Sequence, residues 1–85
     1  MQKVKKTKSV FLLEFGATLR EIRKSRRLSQ ESLGEMAGLD RTYISGLERG
    51  IRNPTLKVLV TLAGCLGIAP SQLLNDISTS DDQNE

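Results

Sequence analysis

The chain has 85 residues, 13 of them lysine or arginine and 10 acidic, with no histidine and one cysteine, and its net charge is +3. That length allows one domain, and a domain so small is only marginally stable alone and gains from oligomerisation. No run approaches the ~20 apolar residues of a membrane helix, Cys65 has no intrachain partner for a disulfide, and the usual zinc ligand sets cannot form within one chain.

The charge is unevenly spread. Lys3, Lys5, Lys6 and Lys8 crowd the N-terminal end, and Asp76, Asp81, Asp82 and Glu85 crowd the C-terminal end. The two ends cancel, so the +3 belongs to the segment between them. A modest basic excess is compatible with nucleic acid, although many soluble domains carry as much. Residues 1–9 read as a flexible basic arm, either a solvated tail or an added attraction to phosphates. They lack a cleavable signal pattern, and the lone thiol suits a reducing cytoplasm.

The spacing predicts a first helix over Val10–Ser25, with Phe11, Phe15, Leu19 and Ile22 as its buried stripe. Arg20, Arg23, Lys24, Arg26 and Arg27 crowd its C-terminal end, where cations suit the helix dipole. A second helix, Gln30–Ala37, is capped by Ser29 and stopped by Gly38. Leu28 and Leu33 stand at the positions of a hydrophobic staple. The pattern then repeats. Asp40 caps a third helix, Arg41–Arg49, Leu39 and Ile44 form the second staple, and Gly50 is the second stop. Two short helices with a Gly-Leu-Asp turn between them fit a helix-turn-helix. Leu33, Met36, Ala37, Leu39, Ile44 and Leu47 lock the pair against a core. Arg41, Thr42, Tyr43, Ser45 and Gly46 remain outside.

Pro54 ends any continuation, and Thr55 caps a fourth helix, Leu56–Leu66. Its inner stripe is Leu56, Leu59, Val60, Ala63 and Leu66, and Gly67 stops it. Ile68 and Leu73 staple a short fifth helix with Pro70 at its first position. Cys65 and Met36 read as plain core. From Asn75 onward the chain is small, polar and acidic, and residues 78–85 are expected to be a disordered tail. No strand and no internal repeat appears, so the fold class is all-α.

The stretch Leu28–Gly50 resembles the helix-turn-helix of the phage repressor and Cro-like family, the Xre-type regulators. Leu28, Ser29, Gln30, Leu33, Ala37, Gly38, Ile44, Leu47 and Glu48 carry the match. It extends through GATLREIRKSRRLSQ before and NPTLKVLVTLAGCLGIAPSQLL after, covering roughly Phe15 to Leu74. Within the family, LDRTYISGLER resembles the controller proteins of restriction–modification operons. The resemblance implies a compact five-helix lambda-repressor-like DNA-binding domain over residues 10–77. Many family members have glycine where Arg27 stands, which bears on the turn into helix two. The family also aligns an arginine and a glutamate that pair inside the domain with Arg23 and Glu48, so both are expected to be structural.

A helix fits the major groove, and in this family helix three enters it while helix two lies across the backbone. The positions facing bases would be Arg41, Thr42, Tyr43, Ser45 and Gly46. Arg41 is the strongest of these, because a guanidinium pairs bidentately with guanine O6 and N7. Its bland alternative is a solvated cation, though a cation at a helix start is disfavoured by the dipole. Thr42 and Tyr43 offer hydroxyls and apolar surface, and Gly46 permits close approach. Backbone contacts would come from Ser29, Gln30, Arg49, Arg52, Asn53, Thr55 and Lys57, with Arg52 in reach of a minor groove. In the family the glutamine matching Gln30 bonds a phosphate and orients neighbours on helix three.

One recognition helix gives little affinity, and family members usually dimerise. The candidate interface is Val58, Leu62, Leu66, Ile68, Leu74 and Ile77, since one small core cannot bury them all. The leading function is a sequence-specific regulator of transcription, a cytoplasmic homodimer on a near-palindromic double-stranded DNA operator. No cofactor, metal, small-molecule ligand or membrane partner is expected. A controller protein and a phage-type repressor fit equally well. The alternative class is a DNA-binding antitoxin whose main partner is a toxin. The residues after Ile77 lack the apolar periodicity such a partner needs. An enzyme has no support: there is no histidine, and no glycine-rich phosphate loop followed by lysine.

Overall fold

The computed structural model describes residues 9–79, and every regular element among them is helical. The order is α1 (Val10–Ser25), α2 (Gln30–Ala37), α3 (Arg41–Glu48), α4 (Leu56–Leu66) and a short 3-10 helix, Pro70–Leu74. The lysines of the N-terminal arm and the tail beyond Thr79 lie outside the described residues.

Local chemistry sets the helix ends. The Ser29 hydroxyl accepts the Ser32 N–H at 2.9 Å, and the Thr55 hydroxyl accepts the Val58 N–H at 3.1 Å. The Asp40 carboxylate accepts the Thr42 N–H at 3.0 Å. Each bond satisfies a donor that the first helical turn leaves without a partner. At the other ends, Gly38 and Gly67 take the left-handed conformation, both at φ 71. The reversals let Leu39 N–H bond back to Gly34 and Ile68 N–H to Ala63. Arg49 is the C-cap of α3 rather than its last residue, and Gly50 turns left-handed after it.

The fifth helix is corrected to a single 3-10 turn. Five residues are too few for an α-helix to propagate, and Asn75 leaves it in extended conformation. Gln72 accepts the Ala69 N–H at 2.9 Å and so fixes its start.

The core gathers Phe15 and Leu19 of α1, Leu33 of α2, and Ile44 and Leu47 of α3. Leu59, Leu62, Ala63 and Leu66 of α4 and Leu73 complete it. A Cβ at Gly16 would strike the carbonyls of Leu47 and Glu48, so α1 crosses the end of α3 in backbone contact. Several expected core positions lie outside. Phe11 is 37% exposed and lines an open groove instead of the core. Met36 is 52% exposed on the solvent side of α2. Leu56 is 75% exposed and Val60 48%, because the inner stripe of α4 is Leu59, Leu62, Ala63 and Leu66. Cys65 is half-buried and packs against the core.

That register also corrects the candidate interface. Leu62 and Leu66 are filled into the chain's own core and offer nothing to a second copy. Val58, Ile68 and Ile77 are half-buried against it, and Leu74 is exposed. Ser78, assigned to the loose tail, donates its N–H to the Glu14 carboxylate at 2.7 Å.

Candidate functional site

The frame of the site is one carboxylate. Glu48, the last residue of α3, receives Arg23 Nε on one oxygen at 2.6 Å and Arg23 Nη2 on the other at 3.0 Å. Gln30 Nε2 donates to the same carboxylate at 3.0 Å. Arg23 Nη1 donates to the Leu28 carbonyl at 2.7 Å, bracing the turn between α1 and α2. Both charged side chains are largely shielded from solvent. A bidentate, charge-assisted pair with further hydrogen bonds is a geometry in which burial of two charges is tolerated. Three helices are thereby fixed relative to one another, and the orientation of α3 follows.

The outward side of α3 begins at its N-cap. Asp40 accepts from the Thr42 backbone and also from the Thr42 hydroxyl. The hydroxyl bond holds the Asp40 carboxyl below its ordinary pKa most strongly, followed by the backbone N–H; burial opposes them, and the charge of Arg41 is the smallest contribution. The Thr42 hydroxyl proton is therefore committed to Asp40. Arg41 and Thr42 are exposed at the start of the helix. Ser45, half-buried one turn on, accepts Arg49 Nε at 3.2 Å.

Tyr43 and Gly46 differ from the expectation of an open edge. Tyr43 is half-buried and packs against the core. Gly46 is buried, and the space a Cβ would need there is filled by Arg52, whose Cγ would lie 2.5 Å away. The Arg52 guanidinium stands over the Tyr43 ring, 5.9 Å from its centroid. Position 46 thus admits the stem of Arg52.

The loop after α3 is held at two points. Ile51 N–H bonds to the Gly46 carbonyl at 3.0 Å, and Gly50 abuts Leu13 of α1. This brings Arg52 beside α3; Arg52, Asn53 and Thr55 are all exposed, as is Lys57 in the first turn of α4. Arg41, Arg49, Arg52 and Lys57 present positive charge, while Glu48 is turned inward and neutralised. Ser29 is exposed at the start of α2, and Gln30, half-buried, is directed to Glu48.

The resemblance implied that Gln30 orients neighbours on α3, and Glu48 is the neighbour it bonds; Arg52 lying across Tyr43 and Gly46 was not visible in the sequence. That contact depends on how α3 packs. The spacing of Tyr43 and Gly46, three apart and on one helical stripe, was the available signal. Among the described residues no cluster of cysteine and carboxylate side chains could hold a metal ion, and no helix is long and apolar enough to cross a membrane.

The HTH_3 profile, described as helix-turn-helix, matches residues 19–73. The immunity repressor protein of Bacillus phage phi105 is 41% identical over 61 residues, 72% of this chain. The chain spans only 42% of that repressor's length. Control protein C.MunI from a Mycoplasma species is 44% identical over 66 residues, covering 76% of this chain and 89% of its own. The crystal structure of the restriction–modification controller protein C.AhdI from Aeromonas hydrophila superposes with a TM-score of 0.72 at 48% identity. That match covers 73% of this chain and 94% of C.AhdI. Fold, helix-turn-helix geometry and sequence agree: the chain belongs to the HTH_3 helix-turn-helix family, the Xre-type DNA-binding regulators of transcription.

Proposed function

We propose that the chain acts as a homodimer on a near-palindromic operator, with α3 of each copy in successive major grooves about 34 Å apart. The observation that carries this reading is the hydrophilic edge of α3. Arg41 and Thr42 stand exposed at its start, on a helix locked in place through Glu48. Arg41 is the base-reading side chain. Ser45 adds a hydroxyl one turn on. Arg49, Arg52, Asn53, Thr55 and Lys57 meet phosphates on one side of α3, and Ser29 with the N-terminus of α2 meets them on the other.

The second copy covers an apolar surface at the end of the domain away from the α1–α2 turn. Phe11, Leu12, Leu74 and Ile77, with Asn53 and Pro54, line a groove of about 180 Å³ there, backed by the core residues Phe15 and Leu59. Leu56 and Val60, one turn apart on α4, extend the exposed apolar surface. Apolar groups in such number on so small a domain favour a partner.

A controller of restriction–modification genes is the more specific reading. It is supported by the likeness to two controller proteins, C.AhdI at 48% identity and C.MunI at 44%.

Selection from a random duplex pool tests the proposal. An inverted repeat should emerge, and sedimentation with that duplex should give two chains per site. Leu56→Asp with Leu74→Asp should abolish pairing of the chains while leaving the helical content intact. Recovery of no preferred sequence, or one chain per duplex at saturation, would overturn it.

A further inference from the structure

The seat of Arg52 deepens the proposed function and rests on it. Gly46 lies mid-helix, where glycine is the least suitable residue short of proline. It is nevertheless buried, and the atoms nearest to where its Cβ would stand belong to the Arg52 side chain. Any side chain at 46 would occupy the place of Arg52 Cγ. One stripe-step earlier, the Tyr43 ring lies under the guanidinium at 5.9 Å, within the reach of a cation–π contact. The loop is tethered beside this seat, with Ile51 N–H on the carbonyl of Gly46 itself. Gly50, at φ 76 and against Leu13, sets the loop's approach to α3. Glycine, ring and tether all act on the same arginine.

We infer that Tyr43 and Gly46 are positioning residues that hold Arg52 extended along α3, making it a preorganised cationic arm of the DNA-reading surface. Arg52 would otherwise carry one of the most flexible side chains. Here much of its freedom is already lost in the unbound protein, so binding phosphate or a groove edge costs less ordering. Tyr43 then serves chiefly as a platform, and Gly46 makes room for a protein side chain rather than for a base.

A double-mutant cycle between positions 46 and 52 tests this, using the selected operator duplex. Gly46→Ala improves helix propensity, so the variant should fold. Arg52→Ala and Gly46→Ala should each weaken operator binding by a similar factor, about tenfold. The double variant should be no weaker than Arg52→Ala alone. Both single variants should flatten the dependence of log affinity on log salt by about one unit per recognition domain. In the unbound protein, the Arg52 side-chain resonances should show the ring-current displacement of Tyr43. That displacement should vanish in Gly46→Ala and in Tyr43→Leu.

Two results would overturn the inference. One is a Gly46→Ala loss that persists undiminished in the Arg52→Ala background. The other is Arg52 resonances unchanged by either positioning substitution. If the ring-current signature is present and Gly46-dependent while the wild-type chain binds no duplex, the seat stands as structure and the DNA-reading role fails.

Discussion

The guanidinium of Arg23 closes on both oxygens of Glu48, at 2.6 and 3.0 Å, and so ties the last turn of α1 to the last residue of α3. The pair is shielded from water, with the Arg23 side chain 10% exposed and that of Glu48 3%. Removing one partner strands the other charge. Glu48→Ala should therefore lower the free energy of unfolding by roughly 3–5 kcal/mol, a large share of what a domain this small possesses. Urea unfolding measures it. A loss under about 1 kcal/mol would mean that the pair behaves as a surface bridge.

Arg27 takes the left-handed conformation, φ 60, in the turn between α1 and α2. That conformation costs a residue with a Cβ roughly 1–2 kcal/mol. Arg27→Gly relieves it, but the freer unfolded chain returns about 0.4–1 kcal/mol. The expected net gain is about 0.5–1 kcal/mol in unfolding free energy, again from denaturation. Gly50→Ala should act in the opposite sense. At φ 76 its new Cβ would sit 2.8 Å from Leu13 Cδ2 and 3.0 Å from Leu13 Cα. Stabilisation by Gly50→Ala would contradict the described turn.

Asp40 supplies a pH-dependent cap to α3. Its folded pKa is depressed below 3.8 by the Thr42 hydroxyl, then by the Thr42 N–H and Arg41. A depressed carboxyl contributes stability that is present above the unfolded pKa and lost as pH falls through the folded value. Asparagine caps nearly as well but does not titrate. The stability difference between wild type and Asp40→Asn should thus be constant above about pH 5 and shift against the wild type below about pH 4. Thermal unfolding across pH 2–7 would show it, and a flat difference would refute the Asp40–Thr42 arrangement.

The helix ends were legible because their signals are local. Ser29, Asp40, Thr55, Gly38 and Gly67 each act on backbone within a turn, and no distant contact overrides them. The inner stripe of α4 was not legible, for a reason of arithmetic. Leu56, Val58, Leu59, Val60, Leu62, Ala63, Cys65 and Leu66 make the helix apolar nearly all round. Leu56-Leu59-Val60-Ala63 and Leu59-Leu62-Ala63-Leu66 both satisfy helical spacing, and only packing against α2 and the 3-10 helix selects the second. Phe11 and Met36 fit their stripes, yet both side chains are exposed, Phe11 in a groove beside Leu74 and Ile77. On the site, Arg23 and Glu48 pair inside the domain as the family resemblance implied, and Arg41 is exposed at the start of α3. The Arg52 seat did not show in the sequence, since the five residues between Gly46 and Arg52 say nothing about where a loop folds back.

The central claim is that α3 reads base edges, and Arg41 at its exposed start is the most direct probe. The measurement is the affinity of wild type and Arg41→Ala for the selected operator and for each single base-pair variant of its half-site. The account predicts a loss of roughly 1–3 kcal/mol and relaxed preference at one base pair per half-site, with the ranking elsewhere kept. Lys57→Ala, a phosphate contact, should weaken all duplexes alike. An Arg41→Ala protein that ranks every duplex as the wild type does would contradict the account.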